Sequence, residues 1–185
     1  MGKLKVSTFL TLDGVMQAPG DATEFTRGGW QTQLFDADAG VIAKDGLSAA
    51  DALLLGRTTY EHFAAAWPDM TDEEGYADRM NSIPKFVAST TLADATWNAT
   101  VISDVSADVP KLKRQNDLLV MGSGRLVRAL REHSLVDEYE IWIHPILLGA
   151  GKRLFEETAK TTRLTLSGTK STEKGIMVLT FDVAP

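Results

Sequence analysis

Apolar and polar positions follow two regimes along this chain. Up to about residue 131, short apolar runs alternate with segments of helical period, and beyond it the apolar positions keep to strand-like runs. Residues 4–10 predict a first strand, closed by the Asp13-Gly14 turn pair. A glycine-rich, irregular stretch follows to Gly29. Over residues 30–47 the side chains Leu34, Phe35, Val41, Ile42 and Leu47 recur at roughly helical spacing, which predicts a helix. Residues 52–55 are wholly apolar and Gly56 stops them, as in a strand buried on both faces. Thr58 and Thr59 offer capping hydroxyls to a second helix over residues 60–67, which Pro68 ends.

The alternation continues with a short helix over 72–80, strands over 84–89 and 96–102, and a basic helix over 109–115. A buried strand over 117–121 then runs into Gly122-Ser123-Gly124 and an amphipathic helix over 125–131. Glu138 to His144, Arg163 to Ser171 and Ile176 to Val183 read as strands, with Lys174-Gly175 as a hairpin turn. This order predicts an α/β fold of three layers: a mainly parallel central sheet with helices on both faces, finished by a C-terminal antiparallel hairpin. With 185 residues, no linker and no repeat, one domain over 1–185 is expected.

Two segments share one physical logic. In Leu55-Gly56-Arg57-Thr58-Thr59 and Met121-Gly122-Ser123-Gly124-Arg125-Leu126, a buried strand ends at glycine, the chain turns, and a helix begins with unpaired N–H groups. Both belong at the carboxyl end of the sheet, where open α/β folds bind ligands. Together they suit the separate phosphates of a dinucleotide, and Arg57 suits a 2′-phosphate better than a neutral ribose hydroxyl. The second segment is not a Rossmann fingerprint, because Val127 stands where the third glycine belongs. The run Gly149-Ala150-Gly151-Lys152 is not a P-loop, since Arg153 replaces the magnesium-binding hydroxyl and Ile146 the first glycine.

Composition narrows the class further. The absence of cysteine excludes disulfides, thiolate catalysis and cysteine-zinc sites, and fits a bacterial-type cytosol best. Three scattered histidines define no metal site. The net charge of −6 argues against nucleic-acid binding, no apolar run approaches a membrane span, and the first residues lack a signal-peptide core. A cytoplasmic protein acting on a small molecule is expected.

Five pieces occur in order: residues 11–16, 54–61, 83–90, 120–124 and 143–151. Together they resemble the family of the riboflavin-biosynthesis reductase C-terminal domain, which shares the dihydrofolate reductase fold. The resemblance implies an NADPH-dependent reductase. Gly56, Arg57, Thr58 and Thr59 would bind the NADPH phosphates, Ser89 and Thr90 would sit by the 2′-phosphate, and Met121 to Leu126 would cradle the pyrophosphate. Thr8 and Leu12-Asp13-Gly14-Val15-Met16 would flank the nicotinamide. It also implies a homodimer, in keeping with the aromatic faces of the last strands.

Two departures matter. Dihydrofolate reductases use a buried carboxylate on the first helix, for which Asp36, or less well Asp38, is the candidate here. The zinc deaminase domain often fused to the riboflavin enzyme has neither room nor cysteines in this chain. A stand-alone reductase of a C=N or C=O bond is therefore expected, with the proton from water or Asp36. Trp30, Trp142 and His144 are candidate substrate-pocket residues, and strand alternation sets Trp142 and His144 on one face. His62 and His133 read as surface or capping residues. The competing readings are a nucleotide- or small-molecule-binding protein that keeps the fold without turnover, and a true dihydrofolate reductase.

Overall fold

The computed structural model describes residues 1–155 and 161–184. Its elements are β1 (Leu4–Thr11), α1 (Ala37–Ser48), β2 (Ala52–Gly56), α2 (Arg57–Ala66), α3 (Tyr76–Ser82), β3 (Lys85–Ala88), β4 (Ala99–Ile102), α4 (Val105–Leu112), β5 (Leu118–Met121), α5 (Gly124–Glu132), β6 (Glu138–His144), β7 (Leu164–Ser171) and β8 (Met177–Val183). They form an eight-stranded sheet of order β4-β3-β2-β5-β1-β6-β8-β7. The chain divides into two compact units: residues 1–5 with 43–136, and residues 6–42 with 137–185.

In the first unit β2 pairs in parallel with β3 and β5, and β3 with β4. All five residues of β2 are buried, as an apolar run covered on both faces requires. Leu53 and Leu55 pack with Tyr60, Met80, Ile83, Val87 and Leu119 in the core. Lys85 is buried too. Its ammonium donates to the carbonyls of Asn81 and Ile83 and lies 4.0 Å from the Trp97 ring centre, and burial lowers its pKa to about 8.

In the second unit β8 pairs antiparallel with β6 and β7. The β7–β8 turn carries the expected Lys174-Gly175, where Gly175 sits at φ +86°.

Several boundaries differ from the sequence expectation. The helix expected from residue 30 begins at Ala37. Residues 29–35 are held in turns by Thr32 N–H to Gly29 and Phe35 N–H to Gln31, and Asp36 caps the helix, its Oδ1 accepting from Ala39 N–H at 2.9 Å. The helix expected over 109–115 is α4, which starts at Val105 because Asp104 Oδ1 accepts from Ala107 N–H at 3.0 Å. Left-handed Trp97 and Asn98 delay β4 to Ala99. Thr58 and Thr59 do not cap α2; its cap position is Gly56, with no side-chain bond.

Candidate functional site

The first unit brings two glycine turns together. Strands β2 and β5 run parallel, with Leu54 opposite Val120, so the starts of α2 and α5 emerge at the same sheet edge. Gly56 N–H donates to Ser123 Oγ at 3.0 Å, and Ser123 Oγ lies 2.7 Å from Thr59 Oγ1. One hydroxyl thus ties both helix starts. Neither cap position, Gly56 or Ser123, offers a side-chain bond to its helix, so the backbone N–H groups of two helix starts keep their positive character for an anion. Gly122 (φ +68°) and Ser123 (φ +66°) are both left-handed, which is strained for a serine and places it where it can reach Gly56.

Glycine at 56 is a steric requirement. A Cβ there would lie 2.8 Å from Ser123 Cβ and closer still to its Oγ. Leu126 is buried and Met121 packs against the core, which leaves the backbone of these two as the part able to face a ligand. Thr58, Thr90 and Arg125 are exposed.

The parallel register sets Gly56 opposite Ala88, so Arg57 and Ser89 follow at neighbouring strand ends. Arg57 Nε pairs with Glu61 Oε1 at 2.7 Å, and its Nη1 donates to Thr91 Oγ1 at 2.7 Å. Ser89 Oγ accepts from Thr91 and Leu92 N–H, shaping that loop. Thr91 was not singled out from sequence, because its only signal is the loop that follows a strand end. Glu61 orients Arg57 through an exposed i, i+4 pair.

The second unit gathers aromatic rings on one face. Alternation along β1 sets Ser7 with Phe9, and along β6 Glu140 with Trp142 and His144. The Phe9 ring centre lies 5.2 Å from Trp142, 5.3 Å from His144 and 6.3 Å from Phe35, and Trp30 lies 5.0 Å from His144. Trp142 and His144, named from sequence, thus pack on a residue that was not, Phe9, and Trp30 joins the cluster through His144. Trp142 Nε1 donates to Ser7 Oγ and Glu140 Oε1, each at 3.1 Å, and Trp30 Nε1 donates to the Gln17 carbonyl at 2.9 Å. Thr8 is buried with its hydroxyl unpartnered.

The Leu12-Asp13-Gly14-Val15-Met16 turn is stitched to residues 146–153. Leu12 N–H donates to Ile146 and Met16 N–H to Lys152, and Arg153 donates to the Asp13 carbonyl. The Asp13 carboxylate accepts from Thr11 Oγ1 at 2.6 Å and from Gly149 N–H at 2.7 Å. These bonds, led by Thr11, lower its pKa to about 2. Gly149-Ala150-Gly151, rejected above as a phosphate loop, is the strap that holds this turn.

Asp36 has both carboxylate oxygens engaged: Oδ1 on Ala39 N–H, Oδ2 on Lys174 N–H at 2.9 Å. Backbone N–H bonds, with Ala39 first, hold its pKa below the usual carboxylate range. It is an ionised helix cap that also pins the β7–β8 turn. Asp38 Oδ2 accepts from Glu173 N–H of the same turn.

The fold is that of dihydrofolate reductase. The solved dihydrofolate reductase of Schistosoma mansoni covers 99% of each chain at a TM-score of 0.65 and 13% identity. A Shewanella sp. PV-4 structure provisionally assigned to riboflavin biosynthesis covers 99% of each chain at a TM-score of 0.77 and 19% identity. The Bacillus subtilis (strain 168) protein YyaP, itself uncharacterised, is 26% identical over 178 residues, 93% of this chain and 90% of its own. The family model described as the RibD C-terminal domain matches residues 3–178, and the chain belongs to that family of reductase domains.

Proposed function

We propose that the protein is an NADPH-dependent reductase that transfers a hydride to a C=N or C=O bond of a small pyrimidine- or pterin-like heterocycle. The observation that carries this reading is the tie of two uncapped helix starts through Ser123 Oγ, a cradle suited to a pyrophosphate. The donor set fits NADPH: N–H groups and a compact Gly56 for the phosphates, and Arg57 with Ser89 and Thr90 for the 2′-phosphate. NADPH supplies the hydride when bound. Thr8 and the turn from Leu12 to Met16 are the groups we assign to the nicotinamide, and the rings of Phe9, Trp30 and Trp142 exclude water from the heterocycle. Asp36 is an ionised acceptor, so water delivers the proton; for the same reason folate is not proposed as the substrate.

Titration with NADPH, followed by tryptophan fluorescence, tests the reading directly, and absence of binding near millimolar cofactor would sink it. Arg57→Ala removes a charged partner of the 2′-phosphate and should weaken NADPH by about 10- to 100-fold, the worth of a charge-assisted bond. NADH, which lacks that phosphate, should weaken less. Equal losses would remove the 2′-phosphate role. The engaged carboxylate of Asp36 favours one second reading, a binding protein without turnover. Steady NADPH oxidation with any pterin, pyrimidine or carbonyl compound would exclude it.

We also propose a cytoplasmic homodimer formed through β7. This strand ends the sheet order and is exposed along nearly its whole length. Leu164 and Leu166, both exposed, stand opposite Val183 and Phe181 of β8, so one face of the hairpin is an apolar stripe beside a strand edge that no other strand of the described residues pairs. Light scattering should give a dimer mass for the wild type and a monomer for Leu166→Lys; a monomeric wild type contradicts the assignment.

A further inference from the structure

Lys85 stands on the core side of β3, in line with the buried Val87. It is 1% exposed. Among the described residues its ammonium meets the carbonyls of Ile83 at 2.7 Å and Asn81 at 3.3 Å and the face of the Trp97 ring at 4.0 Å, and no carboxylate pairs with it. β2, β4 and residues 96–98 bring it no ionisable side chain. α2 buries Tyr60 in this core, its hydroxyl held by Thr96, and from α3 the charged group that acts on Lys85 is Arg79, of the same sign. A buried cation without a counter-ion is costly, and methionine would fill the same place without that cost.

The cover over this ammonium is itself strained. Trp97 and Asn98 are both left-handed, at φ +54° and +55°, which for a bulky tryptophan is a genuine outlier. Trp97 Nε1 donates to Asn81 Oδ1 at 2.7 Å, Asn98 Nδ2 to Ser82 O at 2.9 Å, and Lys85 N–H to Asn98 O at 3.0 Å. The ring is half-buried, so its outward movement leads to water.

We propose that Lys85 and Trp97 form a pH-responsive latch on the 96–98 turn: while the amine is charged the turn opens more readily and admits water, and loss of the proton closes Trp97 over a neutral amine. Burial, with Arg79 adding to it, lowers the pKa from 10.5 to about 8. Between those values the closed state has shed a proton that the open state keeps, so rising pH favours closure, and below about pH 8 the balance is flat. The ring's attraction for the cation opposes this in part, whereas the two carbonyls accept from a neutral amine as well.

The probe is solvent exchange of the Trp97 indole N–H in the ligand-free protein, followed by NMR from about pH 7 to about pH 9.5 beside the backbone N–H of Val120 in β5. Corrected for intrinsic rate, the Trp97 opening constant should be flat below about pH 8 and fall about tenfold per pH unit above it. It should exceed that of Val120, because the turn opens without the sheet. In Lys85→Met it should be small and independent of pH. A wild-type constant that ignores pH overturns the proposal, as does a Lys85→Met variant that keeps the wild-type profile. A Trp97 N–H that exchanges no faster than Val120 overturns it too, since the ring then leaves only with global unfolding. Should Lys85→Met not fold, carbon-13 spectra of Lys85 Cε in the wild type decide: titration near 10.5 rather than near 8 overturns the latch. No cofactor or substrate enters these measurements, so the latch and the reductase reading stand or fall separately.

Discussion

Gly56→Ala should lower NADPH affinity by at least about 100-fold and cost about 1–3 kcal/mol of stability, the range for overpacking a filled site. The added methyl carbon would fall 2.8 Å from Ser123 Cβ and nearer its Oγ. Rotating the hydroxyl does not relieve it, because Ser123 Cβ is fixed by a backbone already left-handed at φ +66°. The start of α2 or of α5 must then move, breaking the Gly56 N–H bond to Ser123 and the Ser123–Thr59 contact that set the spacing of the two helix starts. A phosphate bound by backbone donors depends on that spacing. Denaturant unfolding and NADPH titration measure the two effects, and Gly40→Ala is the control. Gly40 lies inside α1 with nothing within 4 Å of its added carbon, and alanine there should stabilise by about 0.5–1 kcal/mol. Gly56→Ala with wild-type NADPH affinity would show that the paired helix starts are not the cofactor cradle.

Gly151→Ala should be the most destabilising single change in the second unit. Gly151 holds φ +129°, which L residues rarely adopt, at a strain of about 1–3 kcal/mol. Its added carbon would also lie 2.5 Å from Val15 Cγ1 and 3.4 Å from the Phe25 ring. Val15 is buried and β-branched, so its restricted χ1 leaves little room to retreat. Overlap adds a further cost of about 1–3 kcal/mol, and at about 2–4 °C per kcal/mol a fall of several degrees in Tm should follow. The displacement also reaches the Leu12-to-Met16 turn, which pairs with this strap through Met16 N–H to Lys152 and the Val15–Arg153 bridge. An unchanged Tm would mean the strap is not what holds that turn.

Much of this arrangement was legible in the residue pattern. The apolar runs stopped by Gly56 and Gly122 read correctly as strand, glycine and helix, because complete burial leaves no polar positions in β2, the left-handed turn at 122 favours glycine, and the approach of Ser123 leaves no room for a side chain at 56. The face shared by Trp142 and His144 followed from strand alternation alone. What misled was local polar chemistry with more than one partner available. Thr59 looked like a helix cap, yet its hydroxyl meets Ser123, 64 residues away. Residues 30–35 carried a helical period, yet Asp36 offered a cap that starts the helix after them. The candidate carboxylate Asp36 has its second oxygen engaged by Lys174 N–H, 138 residues on, a partner its local sequence does not name.

The sequence by itself determined the order of strands and helices, the two glycine turns and the family, since periodicity and glycine placement report burial and turning within a few residues of each position. The tertiary structure alone decided that Ser123 binds two helix starts together and that Asp36 is a cap pinned to the β7–β8 turn. Each of these rests on a hydrogen bond made across the fold: Gly56 to Ser123 spans 67 residues and Asp36 to Lys174 spans 138. A side chain's chemistry depends on which partner folding brings to it, and no local pattern carries that choice.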